Sequence, residues 1–266
     1  MGTVHPYREA FLKRKNRFAS ARRKIVRAQF HLRELLEQSE RYWKTRHSIK
    51  LSIYCDKFGC QLLLATGEPD DYVAGPLGDA IHNLRSALDH LVIELIEING
   101  GTPNRNSGFP TGTNAKNFLN ALESKTEGAH PTAIAMLATL EHDATSHGLL
   151  RELHRLDIID KHKTILTSGA VHSIEKASVR YKNKYIALPK IMIAERGASR
   201  RFSIDIPDHE KITLAKTFHA TKSIVFRLGQ PLGGEPIIPV VMRMLKRVEQ
   251  VVEEFDNRLG FQMDVR

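Results

Sequence analysis

His82, Arg85, Asp89 and His90 stand in one short run, Leu77-Gly-Asp-Ala-Ile-His-Asn-Leu-Arg-Ser-Ala-Leu-Asp-His-Leu-Val92. A histidine can act as a general base, and an arginine can neutralise charge developing on phosphoryl oxygens. Those are the two groups that phosphodiester cleavage through a 2′-hydroxyl needs when no metal takes part. In that scheme His90 is the base, Arg85 the phosphate stabiliser and Asp89 an orienting carboxylate, and the use of a 2′-hydroxyl makes the substrate RNA. Five residues apart on an ideal helix, Arg85 and His90 point about 140° from one another. They converge only through the reach of the arginine, a local irregularity or a symmetric second protomer.

The run must be helical. Ile81, Leu84, Leu88, Leu91, Val92 and Leu95 share one face at 100° per residue, the mark of a core helix. His82, Arg85 and Asp89 form a neighbouring polar stripe, continued by Ile93 and Ile96. A second segment, Leu149 to His162, has Leu149, Leu153 and Leu156 on its apolar face, with Asp160 among them and Asp157 at the edge. A carboxylate there needs a partner, for which Arg85 or His82 is the candidate. His82, Asp157, Asp160, Lys161 and His162 are therefore the expected supporting residues.

Two other readings use the same side chains. His82, Asp89, His154, Asp157 and His162 include metal-ligand types and raise a divalent-metal hydrolase. No His-Glu-x-x-His pair is present, and Arg85 and Lys161 would oppose a cation, so no metal and no other cofactor is expected. His142, Asp143 and His147 fall in an expected loop. Alternatively, Arg85, Asp89, His82 and Asp160 only lock two helices, in a non-catalytic protein whose basic first helix docks a partner. His90 separates these readings, because the His82 stripe does not require it.

That first helix is expected from about Tyr7 to Trp43, with Phe11, Phe18, Ile25 and Leu32 at intervals of seven and Ala21, Ala28, Leu35 and Tyr42 beside them. If continuous, it runs for roughly 55 Å. Its first half carries Arg8, Lys13, Arg14, Lys15, Arg17, Arg22, Arg23, Lys24 and Arg27 against the single acid Glu9. Like charges repel along a helix, and a phosphate backbone would relieve that repulsion. Lys13, Arg14, Lys15, Arg17, Arg22, Arg23 and Lys24 are thus the expected nucleic-acid contacts. The formal net charge of +10 agrees with a polyanionic partner.

Period-two alternation on both sides of Asp56-Lys-Phe-Gly59 predicts a β-hairpin near 48–67. Asn99-Gly100-Gly101 predicts the end of the central helix, and the following loop to Thr113 is long enough to act as a flap. Short helices are expected at Asn114 to Glu123 and Thr132 to Leu140. Short strands follow as an antiparallel meander near 164–229, and Val241, Leu245, Val248, Val252, Phe255 and Leu259 mark a last helix ending at Gly260. The expected fold is α+β, in one domain of residues 1–266. A helical bundle is built from 1–47, 72–162 and 236–260, with a β subdomain from 48–67 and 163–230.

The N-terminus has no signal-like apolar region and no apolar run is long enough to cross a membrane, so the expectation is a cytoplasmic protein without a membrane partner. Cys55 and Cys60 face each other across the expected hairpin, where a disulfide is geometrically possible. Without an export signal, free thiols are expected.

The run from Leu77 to Leu91, with Asp160-Lys161-His162 downstream, resembles a widespread group of uncharacterised bacterial and phage proteins over most of the chain. More distantly, the Arg85–His90 spacing within a helical bundle is similar to that of the HEPN superfamily of defence and toxin ribonucleases. Ser86 stands where those proteins often have Asn, Asp or His. The resemblance implies an RNA-binding homodimer acting as a metal-independent endoribonuclease, with Arg85 and His90 as its catalytic pair.

Overall fold

The computed structural model describes residues 17–44, 49–56, 59–67, 69, 71–145, 148–163, 165, 167–181, 184–188, 191–192, 199–204, 213–214 and 218–263. Its helices are α1 (Ala19–Lys44), α2 (Asp71–Ile98), α3 (Ala115–Lys125), α4 (Pro131–Ala138), α5 (Glu141–Ala144), α6 (Leu149–His162) and α7 (Ile237–Met263). Its strands are β1 (Ile49–Asp56), β2 (Gly59–Thr66), β3 (Thr167–Glu175), β4 (Ser178–Tyr181), β5 (Lys184–Ala187), β6 (Ile191–Met192), β7 (Ser199–Ile204), β8 (Thr213–Leu214) and β9 (His219–Phe226). This is an α+β protein with antiparallel sheets and a long C-terminal helix. Among the described residues, no helix is long and apolar enough to cross a membrane.

Two compact units divide the chain. One comprises Met1–Arg33, Leu77–Thr164 and Val241–Arg266, the other Glu34–Pro76 and Ile165–Val240. Three boundaries fall inside α1, α2 and α7, and the fourth falls just after α6, where the sequence marks it.

In the helical unit, α2 is the core element. Leu77, Ile81, Leu84, Leu88, Leu91 and Val92 are fully buried, each contributing about 1.5–3 kcal/mol of apolar transfer. Its end follows the Gly signal: Gly100 has φ 80°, and the Gly100 and Gly101 N–H groups donate to the carbonyls of Glu97 and Ile96, each at 2.9 Å. On α7, Val241, Val248, Val252 and Phe255 are buried as spaced, but Met244 takes the inward place expected of Leu245, and the helix passes Gly260 to end at Met263.

The α1 seam is also buried: Phe18, Ala21, Ile25, Ala28 and Leu32. Continuity from Tyr7 is corrected, because Arg17 and Phe18 form a turn in which Phe18 has φ 54°. A left-handed non-glycine residue costs about 1–2 kcal/mol, and full burial of the phenyl ring offsets it. The new helix end exposes backbone N–H groups that need acceptors. Glu94 of α2 supplies one, its Oε1 accepting from Ser20 N at 2.9 Å and Ala21 N at 3.0 Å. Arg22 Nη2 reaches Asp256 of α7 at 2.9 Å, and Gln29 donates to Glu249 at 2.8 Å.

The loop expected as a flap is pinned. Phe109 is fully buried, Gly108 N donates to Lys125 O, and Gly112 N to Ala144 O. An aromatic anchor with backbone bonds on both sides fixes the 108–112 part of the loop. Asn114 and His130 cap α3 and α4 through their side chains.

In the second unit β1 and β2 pair in register, Cys55 opposite Cys60 and Asp56 opposite Gly59. The turn residues Lys57 and Phe58 and the cysteine side chains lie outside the described residues. The strand order is more interleaved than a meander: β1–β2–β7, β6–β3–β9 and β5–β4–β8. Between β3 and β4 the backbone turns at Lys176, which has φ 55°. The last strand, β9, returns to pair with β3, so a ladder as long as that of the β1–β2 hairpin joins distant segments. Leu64, Val171, Ile174, Ala177, Val179 and Leu188 form the core of this unit. The end of α1 attaches there through Tyr42, whose hydroxyl donates to Gly67 O at 2.6 Å.

Candidate functional site

Arg85 lies on the polar stripe of α2 but is only 5% exposed. Its Nη1 donates to Asp89 Oδ1 at 2.7 Å, one helical turn away, and its Nη2 to Phe109 O at 3.0 Å. Its Nε donates to His154 Nδ1 on α6 at 3.3 Å. Asp89 Oδ1 also accepts from Phe109 N at 2.9 Å, so the carboxylate and the guanidinium clamp one loop residue from both sides. The guanidinium carbon lies 5.8 Å from the centroid of the Phe109 ring. Burial, then Arg85 and Arg151, lowers the His154 pKa to about 4. A neutral ring with Nδ1 accepting from Arg85 carries its proton on Nε2.

One turn earlier, His82 Nδ1 lies 2.9 Å from Asp157 Oδ1, and Lys161 Nζ donates to Asp157 Oδ2 at 2.7 Å. Asp157, at 1% exposure, is therefore a buried carboxylate of α6 with His82 and Lys161 as its partners; Glu152, also buried, pairs with Arg155. The expected assignment to Asp160 is corrected. Leu150, not Leu149, turns inward with Leu153 and Leu156, so the apolar face sits one residue later in phase. Asp160 packs its carboxylate directly over Gly78. Burial, then Asp79 and Asp157, raises its pKa, with His82 acting the other way. His162 is exposed at the end of α6.

His90 points elsewhere. Its Nδ1 lies 2.5 Å from Ser20 Oγ, in the first turn of α1. The ring is half-buried. Desolvation lowers its pKa, Lys24 and Arg23 push the same way, and Asp89 opposes them. His90 is thus a neutral imidazole held against the start of a cationic helix. No described residue hydrogen-bonds its Nε2. Beside it, burial raises the pKa of Glu94, while the Ala21 and Ser20 N–H groups and Arg23 restrain the rise.

The structure brings together Arg85, Asp89 and His154 with Phe109, and separately His82, Asp157 and Lys161. It does not bring Arg85 to His90. Among the described residues no three of His, Cys, Asp or Glu converge as a metal site. His142 is exposed, and His147 is outside the described residues.

Of the expected nucleic-acid contacts, Lys13, Arg14 and Lys15 lie outside the described residues. Arg17 and Arg22 turn to Asp256, at 3.7 Å and 2.9 Å. Arg23 is exposed, and Lys24 is half-buried. Ser20, Glu94, Phe30 and Arg33 carried no assignment in the sequence reading. Phe30 alone had a signal there, as an aromatic residue off the heptad seam.

An α+β protein with a helical unit and a cationic stretch at the start of α1 is the class these features define. No family model, curated protein or solved structure matches the chain.

Proposed function

We propose that this protein binds RNA and cleaves it without a metal, with His90 as the base and Arg23 and Lys24 of α1 as the cations at the phosphate. The observation that carries this reading is the position of His90, half-exposed and joined to Ser20 on the turn that leads into Arg23 and Lys24. Arg85, buried with its donors occupied, becomes a positioning residue that fixes α2, the 101–113 loop and α6. The required tautomer has Nδ1–H donating to Ser20 Oγ, which leaves the Nε2 lone pair for the proton of a 2′-hydroxyl. The 2′-oxygen then bonds to phosphorus and the bond to the 5′-oxygen breaks. That oxygen takes a proton from water, the hydroxide so formed recovers the proton held on His90 Nε2, and a 2′,3′-cyclic phosphate, a 5′-hydroxyl and the neutral imidazole remain. Because the cations stand on the same chain as His90, the homodimer implied by the HEPN resemblance is not required for this site. A defence or toxin role rests on that resemblance alone.

The test is incubation of purified protein with single-stranded and transfer RNA in EDTA. Wild type is expected to cut, and His90→Ala and the double variant Arg23→Ala, Lys24→Ala to be inert while folded by circular dichroism. A second reading, a non-catalytic interaction protein, is favoured by the buried Arg85 network, in which each guanidinium nitrogen has a partner. It stands if wild type is inert both in EDTA and with added divalent ions.

A further inference from the structure

Val26 and Phe30 are 60% and 58% exposed on α1, although the same helix buries its heptad seam. Isolated exposed apolar residues are ordinary. These two are flanked by Arg23, Arg27 and Arg33, all exposed, and together the five side chains fall within about 120° of the helix circumference, with Phe30 near the middle. From Arg23 to Arg33 the stripe runs about 15 Å along the axis. The Arg33 guanidinium carbon lies 5.9 Å from the Phe30 ring centroid, and the His31 ring meets Phe30 edge-on at 5.6 Å. Arg23, Arg27 and Arg33 form no salt bridge with any described residue. Between Ala19 and Arg33 there are five basic residues and no acid. Cations gathered at a helix N-terminus oppose the helix dipole, so a polyanion bound there relieves an unfavourable arrangement.

We propose that this face of α1 holds single-stranded nucleic acid, one base stacking on Phe30 while Arg23, Arg27 and Arg33 contact the flanking phosphates. An aromatic ring with cations on both sides along one line is the arrangement that binds unpaired bases through their π-faces without reading sequence. In a duplex those faces are already stacked, so the ring has nothing to contact. The inference rests on the RNA reading and narrows it to single strands.

The test is fluorescence anisotropy with a labelled 2′-O-methyl oligouridine, which cannot be cleaved through its 2′-oxygen. Its duplex with oligoadenosine and phosphatidylserine vesicles serve as competitors. Wild type is expected to prefer the single strand. Phe30→Ala should weaken binding about ten-fold with the fold unchanged, and Phe30→Trp should restore it. Arg27→Ala should make the dependence of log affinity on log salt shallower by about 0.7. Equal binding of single strand and duplex, with Phe30→Ala neutral, overturns the stacking inference and leaves RNA binding standing. Preference for vesicles over the oligonucleotide also overturns it. Binding to neither nucleic acid overturns both this inference and the reading beneath it.

Discussion

Arg85 and His90, five residues apart on one helix, engage opposite neighbours: Arg85 Nη2 donates to Phe109 O at 3.0 Å, whereas His90 Nδ1 meets Ser20 Oγ at 2.5 Å. The arginine faces the pinned loop and α6, and the histidine faces the cationic start of α1. On the proposed function their roles separate accordingly, Arg85 serving stability and His90 serving as the base.

Arg85→Ala leaves the Asp89 carboxylate, the Phe109 carbonyl and His154 without their shared donor. The Asp89 side chain is 34% exposed, so the loss is expected below the range for a fully buried ion pair, at about 2 kcal/mol. Denaturant unfolding is expected to show a loss of that size, and Arg85→Lys to recover little of it, since an ammonium cannot serve three directions in the guanidinium plane. A loss below about 1 kcal/mol would mean that the clamp is not formed in solution.

His154 makes stability depend on pH in a defined window. Its folded pKa, about 4, lies below the ordinary 6.5. Between these values the unfolded chain binds the extra proton, so this contribution is complete above pH 6.5 and lost as pH falls towards 4. His154→Gln removes the titration. The difference in denaturant midpoint between wild type and variant should therefore shrink from pH 7 to pH 4.5. A constant difference would contradict the assignment.

Gly78 lies against Asp160, whose carboxylate occupies the space that a Cβ would take and must shift if one is added. Gly78→Ala is expected to destabilise by about 1–3 kcal/mol, despite the better helix propensity of alanine. Adding Asp160→Ala should recover most of the loss, a coupling measurable in a double-mutant cycle. Simple additivity of the two changes would exclude the contact.

The pH profile of cleavage reports on His90. With its pKa lowered by burial and by Lys24 and Arg23, the base stays neutral below the usual histidine range. The acid limb of the rate profile is then expected below pH 6.5. Lys24→Ala removes one depressing charge and should move that limb to higher pH, even where the maximal rate falls. An unmoved limb would show that a different group titrates.

Much of the fold was legible because burial follows periodicity. The apolar stripe of α2 and the seam of α1 are read from residue spacing, and the Gly100 cap and the hairpin around Asp56–Gly59 from turn chemistry. The phase of α6 was not legible, since Leu149 and Leu150 are adjacent and equally apolar. Their choice depends on His82 and Lys161, which hold Asp157 inside. The fixing of the 101–113 loop depends on Phe109, one aromatic residue in a segment without periodicity. The pairing of β3 with β9 joins segments about 50 residues apart, and no local pattern specifies it. In the candidate site, His90 was legible as a residue but not in its surroundings. Ser20 reaches it, and Glu94 accepts from the same turn, because α1 starts just after the left-handed Phe18, a start that the heptad pattern does not mark.

The most direct test of the central claim is the chemistry of the RNA ends produced in EDTA by wild type and His90→Ala. The account predicts 2′,3′-cyclic phosphate and 5′-hydroxyl ends from wild type and none from the variant at equal folded concentration. Intact RNA with wild type, or the same ends at the same rate from His90→Ala, would contradict it.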